Sequence, residues 1–224
     1  MRKDGKEAVI FDMDGVIFDS EVCVCAIWKE IAEEFNLPNI EEVYIKCIGI
    51  NDAATEQVFK DAYGTDFDYR FYQKISSKKY HARYDGGKLP MKAGVFEILD
   101  YLKDNGYKIA LASSTRVATV TGQLKAAGIY DYFDEVIGGD MVAKSKPEPD
   151  IFLEAAKRLG VSPDKAFVIE DSFNGIRAAF NAKCVPVMVP DMIEPDEEMK
   201  GKAVIICKSL LEVRDFLEGT TNFC

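Results

Sequence analysis

The sequence predicts an α/β protein with a doubly wound, mainly parallel sheet and an inserted α-helical cap domain. Short apolar runs typical of buried strands alternate with helices over most of the chain. Such alternation requires crossover connections, which are right-handed and make neighbouring strands parallel. The first strand is followed instead by a block at 21–88 that shows only helical patterns. We therefore predict a sheet domain formed by 1–20 and 89–224, with a helical cap at 21–88.

The composition of the chain limits its size class and its partners. Its 224 residues, of which 48% are hydrophobic, suffice for one large domain or two modest ones. The formal net charge of -10 disfavours non-specific binding to nucleic acid or to anionic membranes. We expect no nucleic-acid or membrane partner and a monomeric state. Any bound phosphate must then be held by a local group of cations.

The chain shows no sign of export or membrane insertion. No apolar run approaches the roughly 20 residues of a membrane span, and Met1–Glu7 carries no apolar signal segment. The six cysteines form no Cys-x-x-Cys motif and lack the spacing of a zinc site. A cytoplasmic protein with reduced thiols is therefore expected. The single histidine, His81, lies in a polar, basic stretch, which nearly excludes a Ser-His-Asp triad.

Two carboxylates follow the first predicted strand. Val9–Phe11 is apolar without a polar break, as in a strand that is buried on both faces. Asp12 and Asp14 are two residues apart and therefore leave its end on the same side, and Gly15 allows a sharp turn. Two close anions require a cation or a shared proton. A helix N-cap or a polar turn is the alternative for an isolated Asp-x-Asp.

Four helices are predicted in the cap block. Their bounds are Ser20–Phe35, Glu41–Cys47, Asp52–Tyr63 and Tyr69–Tyr84. The first has apolar residues at helical spacing with charged residues on the other face. Asp85–Pro90 is a linker by composition. Because the block begins directly after the first strand, we expect it to lie over the carboxyl edge of the sheet, where ligands bind in such folds.

The rest of the chain alternates between strands and helices. The further predicted strands are Lys108–Ala112, Glu135–Ile137, Ala166–Ile169, Val185–Val189 and Val204–Ile206. The predicted helices are Ala93–Asn105, Arg116–Ala127, Pro149–Leu159, Asn174–Asn181 and Leu210–Leu217.

Polar residues follow the second and third strands as well. The run Ser113–Arg116 leads directly into a helix, and small hydroxyl residues with free N–H groups at a helix N terminus can bind an anion. Simple N-capping is the more common role of such residues. Lys146 precedes Pro147, which favours an extended backbone before the next helix. A cation there would offset nearby carboxylates, and a solvated surface lysine is the alternative.

A second acidic pair, Glu170 and Asp171, follows the fourth predicted strand. Together with Asp12 and Asp14 it would bring four carboxylates to one edge, where a divalent cation and Lys146 would offset much of the charge. An all-oxygen ligand set favours Mg²⁺, and no EF-hand spacing indicates a Ca²⁺ site.

These groups support a phosphoryl-transfer mechanism. One carboxylate attacks phosphorus to give an aspartyl-phosphate, a second serves as general acid and then base, and Mg²⁺ with Lys146 offsets charge on the phosphoryl group.

Four clusters in this order resemble the motifs of the haloacid dehalogenase-like (HAD) superfamily. They are Asp12–Ile17, Ala112–Thr115, Lys146–Asp150 and Ile169–Ile176, and the resemblance extends from about residue 8 to about residue 190. The helical insert after the first motif is similar to the cap of the phosphatase and β-phosphoglucomutase branch. The resemblance implies a Rossmann-like core and excludes a dehalogenase in the strict sense, because that branch lacks the second aspartate.

The resemblance also implies roles for the acidic residues. Asp12 would be the nucleophile and a Mg²⁺ ligand, and Asp14 would be the acid/base and bind Mg²⁺ through its carbonyl. Asp171 would ligate Mg²⁺, and Glu170 would ligate it or support its waters.

Further roles concern phosphate and substrate binding. Ser113 would hydrogen-bond the phosphoryl group beside the Ser114 amide, and Lys146 would neutralise charge. Arg116 and Asn174 would lie near the site by position.

Within this branch the chain is similar to β-phosphoglucomutase through Trp28, Lys46 and 110–113, but it departs from that enzyme in the cap. The mutase has a cap histidine where this chain has Val24, and a phosphate-binding cap arginine where it has Ile50. Lys46 is still a candidate substrate contact, with an exposed cap lysine as the alternative. We therefore expect a Mg²⁺-dependent phosphatase of small phosphorylated metabolites, with sugar phosphates as one candidate class. A β-phosphoglucomutase-like mutase and a non-catalytic binding domain are the alternatives.

Overall fold

Six parallel strands form one sheet at the centre of the structure, a computed structural model that describes residues 3–50 and 52–220. The strands are β1 (Ala8–Phe11), β2 (Lys108–Ser113), β3 (Glu135–Gly138), β4 (Ala166–Glu170), β5 (Val185–Met188) and β6 (Ile205–Ile206). Their order is β3-β2-β1-β4-β5-β6, so β1 lies between β2 and β4. The predicted doubly wound parallel sheet is confirmed.

In the part of the chain that the structure describes, four α-helices follow β1 directly and form the cap. They are α1 (Ser20–Phe35), α2 (Ile40–Ile45), α3 (Asp52–Tyr63) and α4 (Tyr69–Tyr84). They enclose a hydrophobic cluster of their own, in which the rings of Trp28 and Phe59 lie 4.6 Å apart. Tyr80 and Tyr84 of α4 pack against both this cluster and the core of the sheet. The division of the chain at 20/21 and 88/89 stays a prediction.

Within the described residues, six α-helices surround the sheet. They are α5 (Val95–Asp104), α6 (Val117–Ala126), α7 (Asp150–Leu159), α8 (Phe173–Asn181), α9 (Glu197–Lys202) and α10 (Leu210–Glu218). Alternate residues of β1 point to opposite faces: Val9 and Phe11 join the cluster with α5, α6 and α10, and Ala8 and Ile10 join the cluster with α7 and α8. Helices therefore cover both faces of the sheet. Because β1 is buried on both sides, all four of its residues are apolar.

The two connections between sheet and cap lie side by side. The Asp19 amide donates to the Pro90 carbonyl at 2.9 Å, and the Lys92 amide donates to the Ile17 carbonyl at 2.9 Å. Phe18 forms an antiparallel bridge with Met91 between these bonds. This pairing holds the cap above the carboxyl end of β1.

The structure corrects several predicted bounds. The helix predicted over Glu41–Cys47 is α2, which spans Ile40–Ile45. α5 begins at Val95 because Gly94 precedes it with φ of 90°. α6 begins after Arg116, whose backbone is extended.

Other elements also differ from prediction. α7 lacks the predicted Pro149, and α8 includes Phe173 because the Ser172 side chain accepts from the Gly175 amide as an N-cap. α9 was not predicted, since Met199 is its only buried residue.

Two general expectations concern cysteines and membranes. The five cysteines of the described residues are free thiols, and Cys224 lies outside the described residues. Across residues 3–50 and 52–220, no helix has the length and apolarity needed to cross a bilayer.

Candidate active site

Asp12 is the first residue after β1 and is only 6% exposed. Its amide continues the ladder by donating to the Ile169 carbonyl at 2.9 Å. The chain turns at Gly15, where φ is 75° and an added Cβ would lie 2.2 Å from Asp171 Oδ2. Only glycine fits this close approach, because any side chain would collide with the carboxylate. The turn thus brings the acidic groups after β1 and β4 together.

Lys146 links two buried carboxylates. Its ammonium donates to Asp12 Oδ1 at 2.5 Å and to Glu170 Oε1 at 2.6 Å, and a weaker contact reaches the Ala112 carbonyl at 3.3 Å. Burial alone would lower the pKa of Lys146, but the charges of the two carboxylates overcome this effect and raise it above its usual range. The lysine is therefore a fixed cation within the site, and the surface alternative is excluded.

Glu170 is fully buried and held on both oxygens. While Oε1 binds Lys146, Oε2 accepts from the Asp171 and Ser172 amides at 3.0 Å each and from the Ser172 hydroxyl at 2.9 Å. A Cβ at Gly175 would lie 1.8 Å from this carboxylate, so the first turn of α8 must carry a glycine there. The carboxylate thus lies against the positive end of α8.

Three buried carboxylates form a candidate metal centre. Asp12, Glu170 and Asp171 each offer an oxygen, and these oxygens lie within 4.8 Å of one another. Burial, together with neighbouring carboxylate charges, raises the pKa of Asp12 to about 8 despite the opposing charge of Lys146. Burial and the charge of Glu170 likewise raise the pKa of Asp171 well above its usual value. One lysine does not balance this charge, and hard oxygen donors of this kind fit a small divalent cation.

The side chain of Asp14 lies in a different environment from that of Asp12. Its Oδ1 accepts from the Ser20 hydroxyl at 2.8 Å, and its Oδ2 accepts from the hydroxyls of Thr115 at 3.3 Å and Ser113 at 3.5 Å. Burial raises the pKa of Asp14, and these hydroxyl hydrogen bonds oppose the rise. The paired aspartates of the sequence therefore differ in chemistry: one meets a cation, and the other meets hydroxyl groups.

The loop after β2 packs closely against Gly138 and Gly139 at the end of β3, and neither position has room for a side chain. A Cβ added to Gly139 would lie 2.2 Å from the Ser114 carbonyl oxygen, and a Cβ added to Gly138 would lie 2.2 Å from the Val117 amide nitrogen. Ser113 is fully buried, and its hydroxyl also accepts from the Thr115 amide at 3.0 Å. Ser114 and Thr115 line the cavity described next, and Ser113 does not. The predicted contact of Ser113 with a phosphoryl group stays a prediction.

A cavity of about 590 Å³ lies between the sheet edge and the cap. The core residues that line this cavity include Asp12, Asp14, Lys146, Asp171, Ser172 and Asn174. Asn174 also donates to the Gly49 carbonyl of the cap. Lys46 and Arg116 are exposed and lie outside the lining, so their predicted substrate contacts stay predictions. Val24 and Ile50, which stand where a mutase carries its histidine and arginine, line the cavity.

The sequence reasoning missed several cavity residues. Glu21 accepts a 2.6 Å hydrogen bond from the Tyr44 hydroxyl, and burial raises its pKa to about 6. α4 contributes Gln73, Ser76, Ser77 and Tyr80, and α6 contributes Thr119 and Gln123. The available signal was polar residues at helical spacing on one face, which is also typical of a solvated surface.

Comparison with known proteins places these features among enzymes. A model of the haloacid dehalogenase-like hydrolase family matches residues 9–189. A phosphorylated carbohydrates phosphatase of Thermotoga maritima is 33% identical over 177 residues, covering 79% of this chain and 81% of that protein. The beta-phosphoglucomutase of Bacillus subtilis is 34% identical over 189 residues, covering 79% and 80%. A HAD family hydrolase from Deinococcus radiodurans, solved with bound phosphate and sodium, shares the fold with a TM-score of 0.80 at 23% identity, covering 96% of each chain.

Proposed function

This chain belongs to the haloacid dehalogenase-like hydrolases and is an enzyme, and from that premise we propose that it hydrolyses phosphate monoesters of small metabolites. Sugar phosphates are the expected substrate class, in line with the name of the Thermotoga relative. The observation that carries the proposal is the pair of aspartates in separate environments: the buried Asp12 binds Lys146, and the partly buried Asp14 accepts from hydroxyl groups. One can act as a nucleophile while the other transfers protons.

Asp12 is the proposed nucleophile. Lys146 binds its Oδ1 and leaves Oδ2 to attack the phosphorus atom. The bond between phosphorus and the leaving oxygen breaks, and an aspartyl-phosphate forms on the protein. Water then attacks the phosphorus, the bond to Asp12 breaks, and inorganic phosphate leaves.

Asp14 is the proposed proton carrier. Its raised pKa favours the protonated form, from which it donates a proton to the leaving alcohol. The resulting carboxylate then accepts a proton from the attacking water, which restores the starting state. The hydroxyls of Ser20 and Thr115 hold its two oxygens through both steps.

The carboxylate cluster would hold the metal ion. We propose Mg²⁺ on Asp12, Asp171 and the backbone carbonyl of Asp14, where it would stabilise charge on the transferring phosphoryl group. Both oxygens of Glu170 already have protein partners, which supports a role in fixing Lys146 and the metal's waters.

Substitution of the nucleophile tests the proposal. Asp12→Asn is expected to abolish release of inorganic phosphate from p-nitrophenyl phosphate while leaving the circular dichroism spectrum unchanged. Asp104→Asn, an exposed change at the end of α5, is the matched control and is expected to keep full activity. Turnover of the Asp12 variant at the wild-type rate would overturn the proposal.

A mutase is the second candidate, since the Bacillus beta-phosphoglucomutase is a relative of comparable identity. Incubation with β-glucose 1-phosphate and a bisphosphate primer separates the two functions. We expect free phosphate, because Val24 and Ile50 offer no polar group to a second phosphate. Accumulation of glucose 6-phosphate instead would establish the mutase.

A further inference from the structure

Two helices line the cavity with polar side chains at helical spacing. On α6, Thr119 and Gln123 are four residues apart and share one face. On α4, Ser76 and Tyr80 have the same spacing and line the same cavity. Gln123 lies close enough to the Tyr80 phenol to lower its pKa against the larger raising effect of burial, so the two helices meet at these residues. The Asp14 charge also acts on this phenol, and the region shares one cavity with the carboxylate cluster at the sheet edge.

Gln123 carries a buried acceptor that the protein does not satisfy. Its Oε1 has no hydrogen-bond partner within the described part of the chain. Gln73, a second glutamine in the same cavity lining, is different: its Nε2 donates to Asp52 Oδ1 at 2.8 Å, and its Oε1 accepts from Arg70 at 3.1 Å. Buried polar atoms are nearly always paired, so an unpaired atom on a cavity wall indicates a place for a ligand group.

The charge of the cavity restricts that ligand. Lys146 is the single basic side chain among the described residues that line it, and Asp12 and Glu170 already bind this lysine. Glu21 and Asp14 add acidic groups to the lining. A second phosphate or a carboxylate on the substrate would therefore meet repulsion and no free cation. A neutral hydroxyl can donate to Gln123 without that cost.

Position along α6 sets the length of the ligand. Gln123 follows Val117, the first residue of α6, by six residues, which corresponds to about 9 Å along the helix axis, and helical side chains lean back toward the N terminus. A ligand whose phosphate lies at Asp12 must therefore extend along the helix by several atoms to reach the amide.

We propose that Gln123 Oε1 accepts a hydrogen bond from a hydroxyl group of the leaving alcohol. Gln123 is thereby a specificity residue for monophosphates of polyhydroxylated alcohols. Its hydrogen bond selects these substrates over alkyl phosphates, and the acidic lining of the cavity selects them over bisphosphates. This inference rests on the proposed phosphatase function and adds to it the residue that recognises the non-phosphate part.

The test compares two substrates of equal chain length, a hexitol monophosphate and n-hexyl phosphate. The wild type should prefer the hexitol phosphate in kcat/KM, and Gln123→Met should lower this preference by about tenfold, as expected for one hydrogen bond to a hydroxyl. The loss should fall on the hexitol phosphate, with hydrolysis of n-hexyl phosphate retained. Gln73→Met is the matched control and should leave the ratio between the substrates unchanged, because its amide is already paired within the protein.

The outcomes separate this inference from the proposed function. If the wild type hydrolyses both substrates equally, or if Gln123→Met lowers both rates by one factor, the hydroxyl subsite is wrong while the phosphatase stands. If the wild type releases phosphate from neither these substrates nor p-nitrophenyl phosphate, the proposed function fails first. A higher kcat/KM for fructose 1,6-bisphosphate than for fructose 6-phosphate would overturn the charge argument. Thermal melting checks that the Gln123→Met variant is folded. Methionine is a good helix former, so the substitution suits a position within α6.

Discussion

Replacing Lys146 by methionine removes the cation that two buried carboxylates share. The lysine side chain is 8% exposed, and those of Asp12 and Glu170 are 9% and 0% exposed. Methionine keeps most of the aliphatic volume against the Phe152 ring, which lies 5.0 Å from the ammonium. The substitution therefore changes charge far more than packing, and its effect reports on the electrostatics of the site.

The expected loss of stability follows from leaving buried charges unpaired. Removing one partner of a buried ion pair costs about 3–5 kcal/mol. For a chain of this size each kcal/mol corresponds to about 2–4 °C in melting temperature, so a fall of about 6–20 °C is expected. Lys144→Met is the matched control: that lysine is 67% exposed and its contact with Glu148 is 4.0 Å long, so its loss should cost about 0.5 kcal/mol or less.

The loss of stability caused by Lys146→Met should be larger at high pH than at low pH. The pKa of Asp12 is raised from 3.8 to about 8 with the lysine present, so the folded protein binds this proton more tightly than the unfolded chain does. The stability that this proton provides is complete below pH 3.8 and is lost as the pH rises through about 8. Without Lys146 the pKa of Asp12 rises further, so the variant should differ more from the wild type at pH 8 than at pH 5.

Thermal melts in EDTA at the two pH values provide the assay. Addition of Mg²⁺ should recover part of the loss, because a divalent cation would replace the missing charge. A fall in melting temperature that is equal at both pH values, or no larger than that of Lys144→Met, would refute the electrostatic reasoning.

Three further predictions concern other parts of the site. Asp14→Asn should lower kcat by about 10²- to 10⁴-fold, measured as phosphate release, while the melting temperature stays within a few degrees of wild type; near-normal kcat would remove Asp14 as proton carrier. Gly15→Ala should weaken Mn²⁺ binding, measured by titration, by more than Gly86→Ala does, because only at Gly15 would the new Cβ meet Asp171 Oδ2 at 2.2 Å. Lys92→Met should lower the free energy of unfolding by about 3 kcal/mol, since it leaves the buried Asp191 carboxylate without its 2.5 Å partner; urea titration checks this, and an unchanged midpoint would contradict it.

The carboxyl edge of the sheet could be predicted from the sequence because it depends on local signals. Phe11 pairs with Ile169 in register, so the residues that follow them, Asp12 and Glu170, necessarily become neighbours. An apolar strand that ends in an acidic residue is enough to place each carboxylate. The sequence did not show that Glu170 would be saturated by Lys146 and two backbone amides, because that depends on how the first turn of α8 meets the strand.

The residues of the cap that line the cavity could not be predicted in the same way. Ser76 and Tyr80 on α4 belong to a helix whose polar face has the same pattern as a solvated surface, and only the structure shows that both residues line the cavity. Lys46 and Arg116 show the opposite case. The resemblance suggested a substrate contact for Lys46, and position in the chain suggested one for Arg116. Both residues are exposed and lie outside the cavity lining, and their contacts stay predictions. Sequence identifies which chemistry is available, and the arrangement of two helices that are distant in sequence decides which groups meet the ligand.

Ser20 links the cap to Asp14, the proposed proton carrier. Ser20 is the first residue of α1, and its hydroxyl donates to Asp14 Oδ1 at 2.8 Å. Any rotation of α1 about the paired connections at Asp19 and Lys92 would move this hydroxyl relative to the carboxylate. Loss of the bond would raise the pKa of Asp14 further, because the hydroxyl stabilises the ionised form. The position of the cap therefore affects the proton affinity of Asp14 as well as the shape of the cavity.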